Sequence, residues 1–278
     1  MKQILQYIRL MRPLNSFIGA LGILLGGHLT GNLQVEGALW FAVLTAVAMT
    51  GGANAINDYY DYEIDKINKP HRPLFSGVIH RENARWFAYA LFTVGLLASI
   101  LIGPILFLIA AGSVFLLEGY SRWWKRQPVI GNFVVSIMIA VAFLYGAAAF
   151  GKIWAALPPA YMGLLYTWGR ELIKDLEDLE ADAAEQANTL PILLGEHPTK
   201  ILATVLFLLL ILGVIIPYVL EIYNVVYLIL VLVGVNLPIL YIIIRLWNAE
   251  SASEYRHLSH VLKADMFVGL LAVFAGSF

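Results

Sequence analysis

The chain has 278 residues, a formal net charge of −1, no cysteine, 60% hydrophobic residues and 13% charged ones. The apolar share is well above that of a soluble domain and the charged share about half of it, which excludes a water-soluble enzyme and indicates a chain that crosses a bilayer repeatedly. Disulfides and thiol catalysis are excluded, and the near-zero charge gives no basis for a nucleic-acid partner.

Apolar stretches of roughly 20 residues, long enough to span a membrane, recur at 14–31, 37–57, 84–102, 104–121, 129–150, 153–173, 200–220, 223–246 and 260–278. The expected architecture is an all-α polytopic membrane protein with nine transmembrane helices in a single domain over 1–278. Gly103-Pro104 separates the third and fourth spans, and the ninth opens on the polar residues His260, Lys263 and Asp265. With the N-terminus inside the cell membrane, all of the 18 Lys and Arg residues except Lys152 fall in inside segments. So do all of the 19 Asp and Glu residues except Glu36 and Glu221. The basic bias sets orientation, so the residues capable of chemistry are expected to face the cytoplasm.

At the end of the second span the chain carries Asn57, Asp58, Asp61 and Asp65, and at the end of the sixth it carries Asp175, Asp178 and Asp182. The offsets of the two aspartate triplets are the same. On a helix, residues three and four apart share a face, so each triplet concentrates like charge that a divalent cation would neutralise. Amide and carboxylate oxygens are hard ligands suited to magnesium, whereas zinc would call for thiolate or histidine spacing that the sequence lacks. Two such clusters in a membrane protein fit a strongly anionic ligand such as a diphosphate.

Basic residues accompany them. Lys69 and Arg72 follow the first motif, with Pro70 and Pro73 holding the segment extended. Tyr120, Arg122, Lys125 and Arg126 close the fourth span, Arg170 and Lys174 precede Asp175, and Arg12 with Asn15 opens the first span beside Pro13. Arginine forks and lysine ammoniums bind phosphate. Positive-inside anchoring accounts equally well for Lys125 and Arg126, and a structural hydrogen bond for Asn15.

Together, Asn57-Asp58-x-x-Asp61-x-x-x-Asp65, Lys69-Pro-x-Arg72-Pro, the second aspartate motif, and Tyr120 with Lys125-Arg126 resemble the UbiA superfamily of intramembrane prenyltransferases. The resemblance runs from about residue 12 to residue 195. It implies nine helices around a central cavity with a cytoplasmic cap, and two magnesium ions bridging the diphosphate of a prenyl donor. Asn57, Asp61 and Asp65, with Asp58 beside them, match one metal-binding group, and Asp175, Asp178 and Asp182 the other. Lys69, Arg72, Lys125 and Arg126 match diphosphate-contacting positions. Asn54, Tyr120, Arg12, Asn15, Arg122 and Lys174 complete the candidate substrate-binding set. Asp61, Asp65, Asp178, Asp182 and Arg72 are the candidate catalytic residues.

Within the family, the segments 51–58, 63–70, 170–178 and 189–195 are most similar to the archaeal-type branch that prenylates geranylgeranylglyceryl phosphate to make ether lipids. Phe75 and Ala181 depart from that branch, which commonly has proline and glycine there. The implied partners are a prenyl diphosphate donor, a lipid-like glyceryl phosphate acceptor and membrane lipid, with no obligate protein partner. The competing reading within the family is transfer to an aromatic acceptor of quinone or tocopherol type. An ion-coupled transporter would place acids at mid-membrane in broken helices, and an intramembrane aspartyl protease would need two aspartates without triplets beside arginines.

Overall fold

Among the residues that the computed structural model describes, 2–32, 37–68, 72–75, 78–184 and 187–278, every regular element is helical. Seven helices or helix pairs are long and apolar enough to cross a membrane. An eighth candidate is the pair α1 (Lys2–Leu10) and α2 (Pro13–His28), bent by 49° at the intervening residues. The spans expected at 37–57, 84–102, 104–121 and 129–150 correspond to α3 (Gly37–Tyr60), α5 (Arg81–Ile102), α6 (Pro104–Gly119) and α7 (Ile130–Ala149), with α4 (Tyr62–Asn68) following α3. The span expected at 153–173 is α8 (Leu157–Glu177), long enough but carrying Arg170, Glu171, Lys174 and Asp175 within the helix. After α9 (Leu179–Ala184) and α10 (Leu190–Leu194), the remaining spans are α11 with α12 (Glu196–Gly213, Ile216–Val219), α13 with α14 (Val225–Leu230, Leu237–Asn248) and α15 (Ala252–Gly276).

Local chemistry explains most boundaries. Pro13 and Pro104 stand in the first turns of α2 and α6, where a missing N–H costs nothing. Gly31 and Gly195 take positive φ at helix ends. Ser251 and Glu254 form a capping box at the start of α15. A π-helical turn at Val231–Asn236 joins α13 to α14. Pro238, with no N–H, cannot bond the carbonyl four residues back, so the ladder widens there.

The chain forms two compact units, Met1–Trp124 with Val141–Ala156, and Lys125–Ala140 with Leu157–Phe278. In the first, α3 packs along α5 and α2, and α6 lies against α5. In the second, α8 packs on α11 and α15. Large apolar side chains such as Trp40, Leu101, Leu108, Leu212, Val219 and Ile244 are exposed, as expected of surfaces solvated by lipid.

Small residues bring helices together where no hydrophobic drive operates between them. In the first unit a Cβ at Gly26 would fall on the carbonyl of Phe143, and one at Gly146 on the carbonyl of Ile23. The α2 and α7 backbones therefore touch directly. Gly26→Val or Gly146→Val should each lower stability by about 1–3 kcal/mol through overpacking. Gly112→Ala, which meets open space, should be neutral. Unfolding by SDS in mixed micelles measures all three.

Candidate active site

Each aspartate motif sits on a long helix that hands over to a short one at the middle aspartate. α3 stops at Tyr60 and α4 starts at Tyr62, with Asp61 at the joint. α8 stops at Glu177 and α9 starts at Leu179, with Asp178 at the joint. Helical bonding continues through both. The Asp61 N–H donates to the Asn57 carbonyl at 2.9 Å, and the Asp65 N–H to that of Asp61 at 2.8 Å. The Asp178 and Asp182 N–H groups donate to the Lys174 and Asp178 carbonyls, both at 2.8 Å. The four-residue stripes expected from the sequence therefore form.

The first motif is dry. Asp58, Asp61 and Asp65 are all buried, Asp58 to 1% exposure. Asp58 forms ion pairs with Arg12 and, at 3.1 Å, with Arg72, which also pairs with Asp65. The Asn57 amide donates to Asp61 Oδ2 at 2.9 Å. Buried carboxylates require such partners, because an uncompensated buried charge costs several kcal/mol.

Arg12 reaches Asp58 from the corner between α1 and α2, where its φ of 52° is unusual for a residue with a side chain. The corner is fixed by α3. Asn54 donates to the Met11 carbonyl at 2.9 Å, Asn15 lies 3.5 Å from Asn54, and Gly51 makes room for the Met11 side chain. Asn54 and Asn15 thus serve the backbone corner and each other, the structural alternative that the sequence left open for Asn15. α1 also packs on the turn Pro73–Phe75 that follows Arg72.

The second motif is wetter. Asp175 and Asp182 are half-buried and Asp178 is exposed. The Asn132 amide of α7 donates to Asp175 Oδ2 at 2.7 Å. Arg170 pairs with Glu171 at 2.7 Å, and Lys174 lies 4.0 Å from the same carboxylate.

The other candidates are spread. Tyr120 and Arg122 lie in a π-helical turn, with Arg122 stacked 4.8 Å from the Trp123 ring centre. Arg126 is exposed, and its carbonyl accepts from the Asn188 N–H at 3.0 Å. Lys125 is half-buried. Lys69 lies outside the described residues. Among the described residues, no three His, Asp or Glu side chains converge as a metal centre. The donor set of Asn57, Asp61 and Asp65 nonetheless fits magnesium, being all oxygen, helically aligned and next to arginines that can rebalance charge. Asn132 was not identifiable from sequence, since one amide at the start of an apolar helix carries no spacing signal.

A model of the UbiA prenyltransferase family matches residues 16–271. The chain belongs to this family. It is an integral membrane prenyltransferase. Its relatives include the digeranylgeranylglyceryl phosphate synthase of Methanopyrus kandleri, 37% identical over 97% of this chain and 98% of that one. The synthase of the same name from Sulfolobus acidocaldarius is 36% identical over 96% of each. A solved structure described as a digeranylgeranylglyceryl phosphate synthase in membranes superposes with a TM-score of 0.88 at 30% identity, covering 100% of this chain and 99% of that one. A UbiA homologue from Archaeoglobus fulgidus bound to GPP and Mg2+ shares the fold, with a TM-score of 0.72 at 17% identity over 97% of this chain and 99% of its own.

The Asn132 contact to Asp175 generates a test in this family member. Removing the amide leaves a half-buried carboxylate without this donor, so Asn132→Leu should lower stability by about 1–3 kcal/mol. Unfolding by SDS in mixed micelles measures the loss.

Proposed function

We propose that this prenyltransferase moves a geranylgeranyl group from its diphosphate to the free hydroxyl of geranylgeranylglyceryl phosphate, forming the second ether bond of a membrane-lipid precursor. The observation that carries the reading is near-full-length similarity to relatives named for that product, 36–37% identical in the two pairs above. We also take 1–278 as one catalytic domain of the cell membrane, with nine spans, a cytoplasmic cap, the N-terminus inside and the chemistry at the cytoplasmic face. The charge bias supports that topology.

Two magnesium ions, when bound, would supply Lewis-acid charge to the leaving diphosphate. Asn57, Asp61 and Asp65 would hold one, and Asp175, Asp178 and Asp182 the other. Arg72, Lys69, Lys125 and Arg126 bind the diphosphate and stabilise the charge that grows on it as the donor's C1–O bond breaks. The allylic cation left behind is attacked at C1 by the acceptor hydroxyl oxygen, whose proton passes to the released diphosphate as the ether bond forms. Arg12 carries five donors and uses part of that fork on Asp58. Arg12, Arg122 and Lys174 are the residues we assign to the acceptor phosphate. Tyr120 we assign to the donor.

Purified protein with magnesium and geranylgeranyl diphosphate, offered geranylgeranylglyceryl phosphate and 4-hydroxybenzoate in parallel, tests the acceptor by product mass. The expected outcome is prenylation of the glyceryl phosphate alone. Prenylation of the phenolic acid instead would replace the lipid reading with the aromatic one. In the same assay Asp61→Ala and Asp178→Ala should each abolish turnover while the protein stays folded, since each removes an oxygen ligand from a different motif.

A further inference from the structure

The three carboxylates of the first motif are buried, and Asp58 and Asp65 pair with arginines. Asp58 carries both Arg12 and Arg72, while Asp65 shares Arg72. Arg72 therefore bridges two acids with different surroundings. One of them, Asp58, keeps a second arginine whatever Arg72 does. The other, Asp65, belongs to the oxygen stripe that runs through Asn57 and Asp61, which are themselves 2.9 Å apart.

We propose that Arg72 is an exchangeable counter-ion: it neutralises Asp65 until a divalent cation takes that carboxylate, while Asp58 keeps the guanidinium in place for the incoming diphosphate. Asp58 is then a positioning residue that anchors the two arginines, and not a metal ligand. This rests on the metal reading above for Asn57, Asp61 and Asp65.

The physical argument is charge balance in a dry site. Once water is excluded, Asp65 cannot remain ionised without a cation beside it. The ligand-free protein needs a built-in one, and Arg72 supplies it. A metal entering alone must break the charge-assisted Arg72–Asp65 pair and leave Arg72 to Asp58 alone, with guanidinium N–H groups unused. A metal entering with a diphosphate does not, because the phosphate oxygens accept the released guanidinium N–H groups in the bidentate geometry that arginine prefers. Metal and diphosphate binding are thereby coupled, and the coupling is reciprocal. The chain would hold its metal weakly when no donor is present and firmly when one is. Arg12 provides the internal comparison, since it bears the same charge and pairs with the same Asp58 oxygen, Oδ1, as Arg72 does.

The test is a titration of the donor-free, detergent-solubilised protein with Mn2+, bound metal being read by electron paramagnetic resonance. The component abolished by Asp61→Asn is the first-motif site. Against wild type, Arg72→Gln should tighten that component by about tenfold or more, the loss of one competing charge-assisted contact. Arg12→Gln should tighten it far less. If Arg72→Gln is not recovered folded, Arg72→Lys is judged by the same criterion, because a point ammonium does not bridge two carboxylates as a fork does. Unchanged or weaker binding in the Arg72 variant overturns the proposal. Equal tightening by Arg12→Gln also overturns it, by reducing the effect to general charge. If Asp61→Asn removes no component, the metal reading of the motif fails instead.

Discussion

Carboxylates at the end of a membrane helix must be kept charged in a place with little water, and the first half of this protein is arranged around that constraint. Asp58 is nearly inaccessible, and two arginines from different segments converge on it. One comes from the turn after the motif. The other comes from a corner between two helices whose backbone takes an uncommon conformation and is held by Asn54. The bend between α1 and α2, the position of the Arg72 turn and the polar end of α3 are thus one connected construction. Loss of either arginine leaves a buried charge less well compensated, so its effects would extend beyond the side chain removed.

The two motifs repeat a sequence pattern and a backbone pattern, yet their electrostatic settings differ. Each has its middle aspartate at a helix-to-helix joint with the four-residue hydrogen bonds intact. The first is buried among arginines. The second is half-open, and its Asp175 accepts from a neutral amide, with no arginine paired to it among the described residues. The same spacing therefore does not dictate the same exposure or the same partners. What surrounds each triplet does, and those neighbours come from segments remote in sequence.

That distinction marks what the sequence could reveal. Apolar runs of span length are a local property, and α3, α5, α6 and α7 fall where hydropathy places them, whereas the capped α15 starts well before the expected 260, at Ala252. The helical alignment of Asn57, Asp61 and Asp65 follows from spacing alone. The family was legible because its signature is contiguous. By contrast, α1 carries Lys2, Gln3, Gln6 and Arg9 among its apolar residues and lies outside every span expected from hydropathy. The pairing of Arg12 with Asp58 and of Asn132 with Asp175 joins positions more than 40 apart, which no local pattern encodes. The hydrogen bond from the Asn54 amide to the Met11 carbonyl, 43 positions away, is likewise not encoded locally.

The account depends most directly on the Arg12–Asp58 pair holding the corner and the motif together. A double-mutant cycle with Arg12→Gln and Asp58→Asn, read as stability to SDS unfolding in mixed micelles, measures that pair. The buried setting predicts a coupling energy well above the ~1 kcal/mol upper range of exposed ion pairs. A coupling indistinguishable from zero would contradict it.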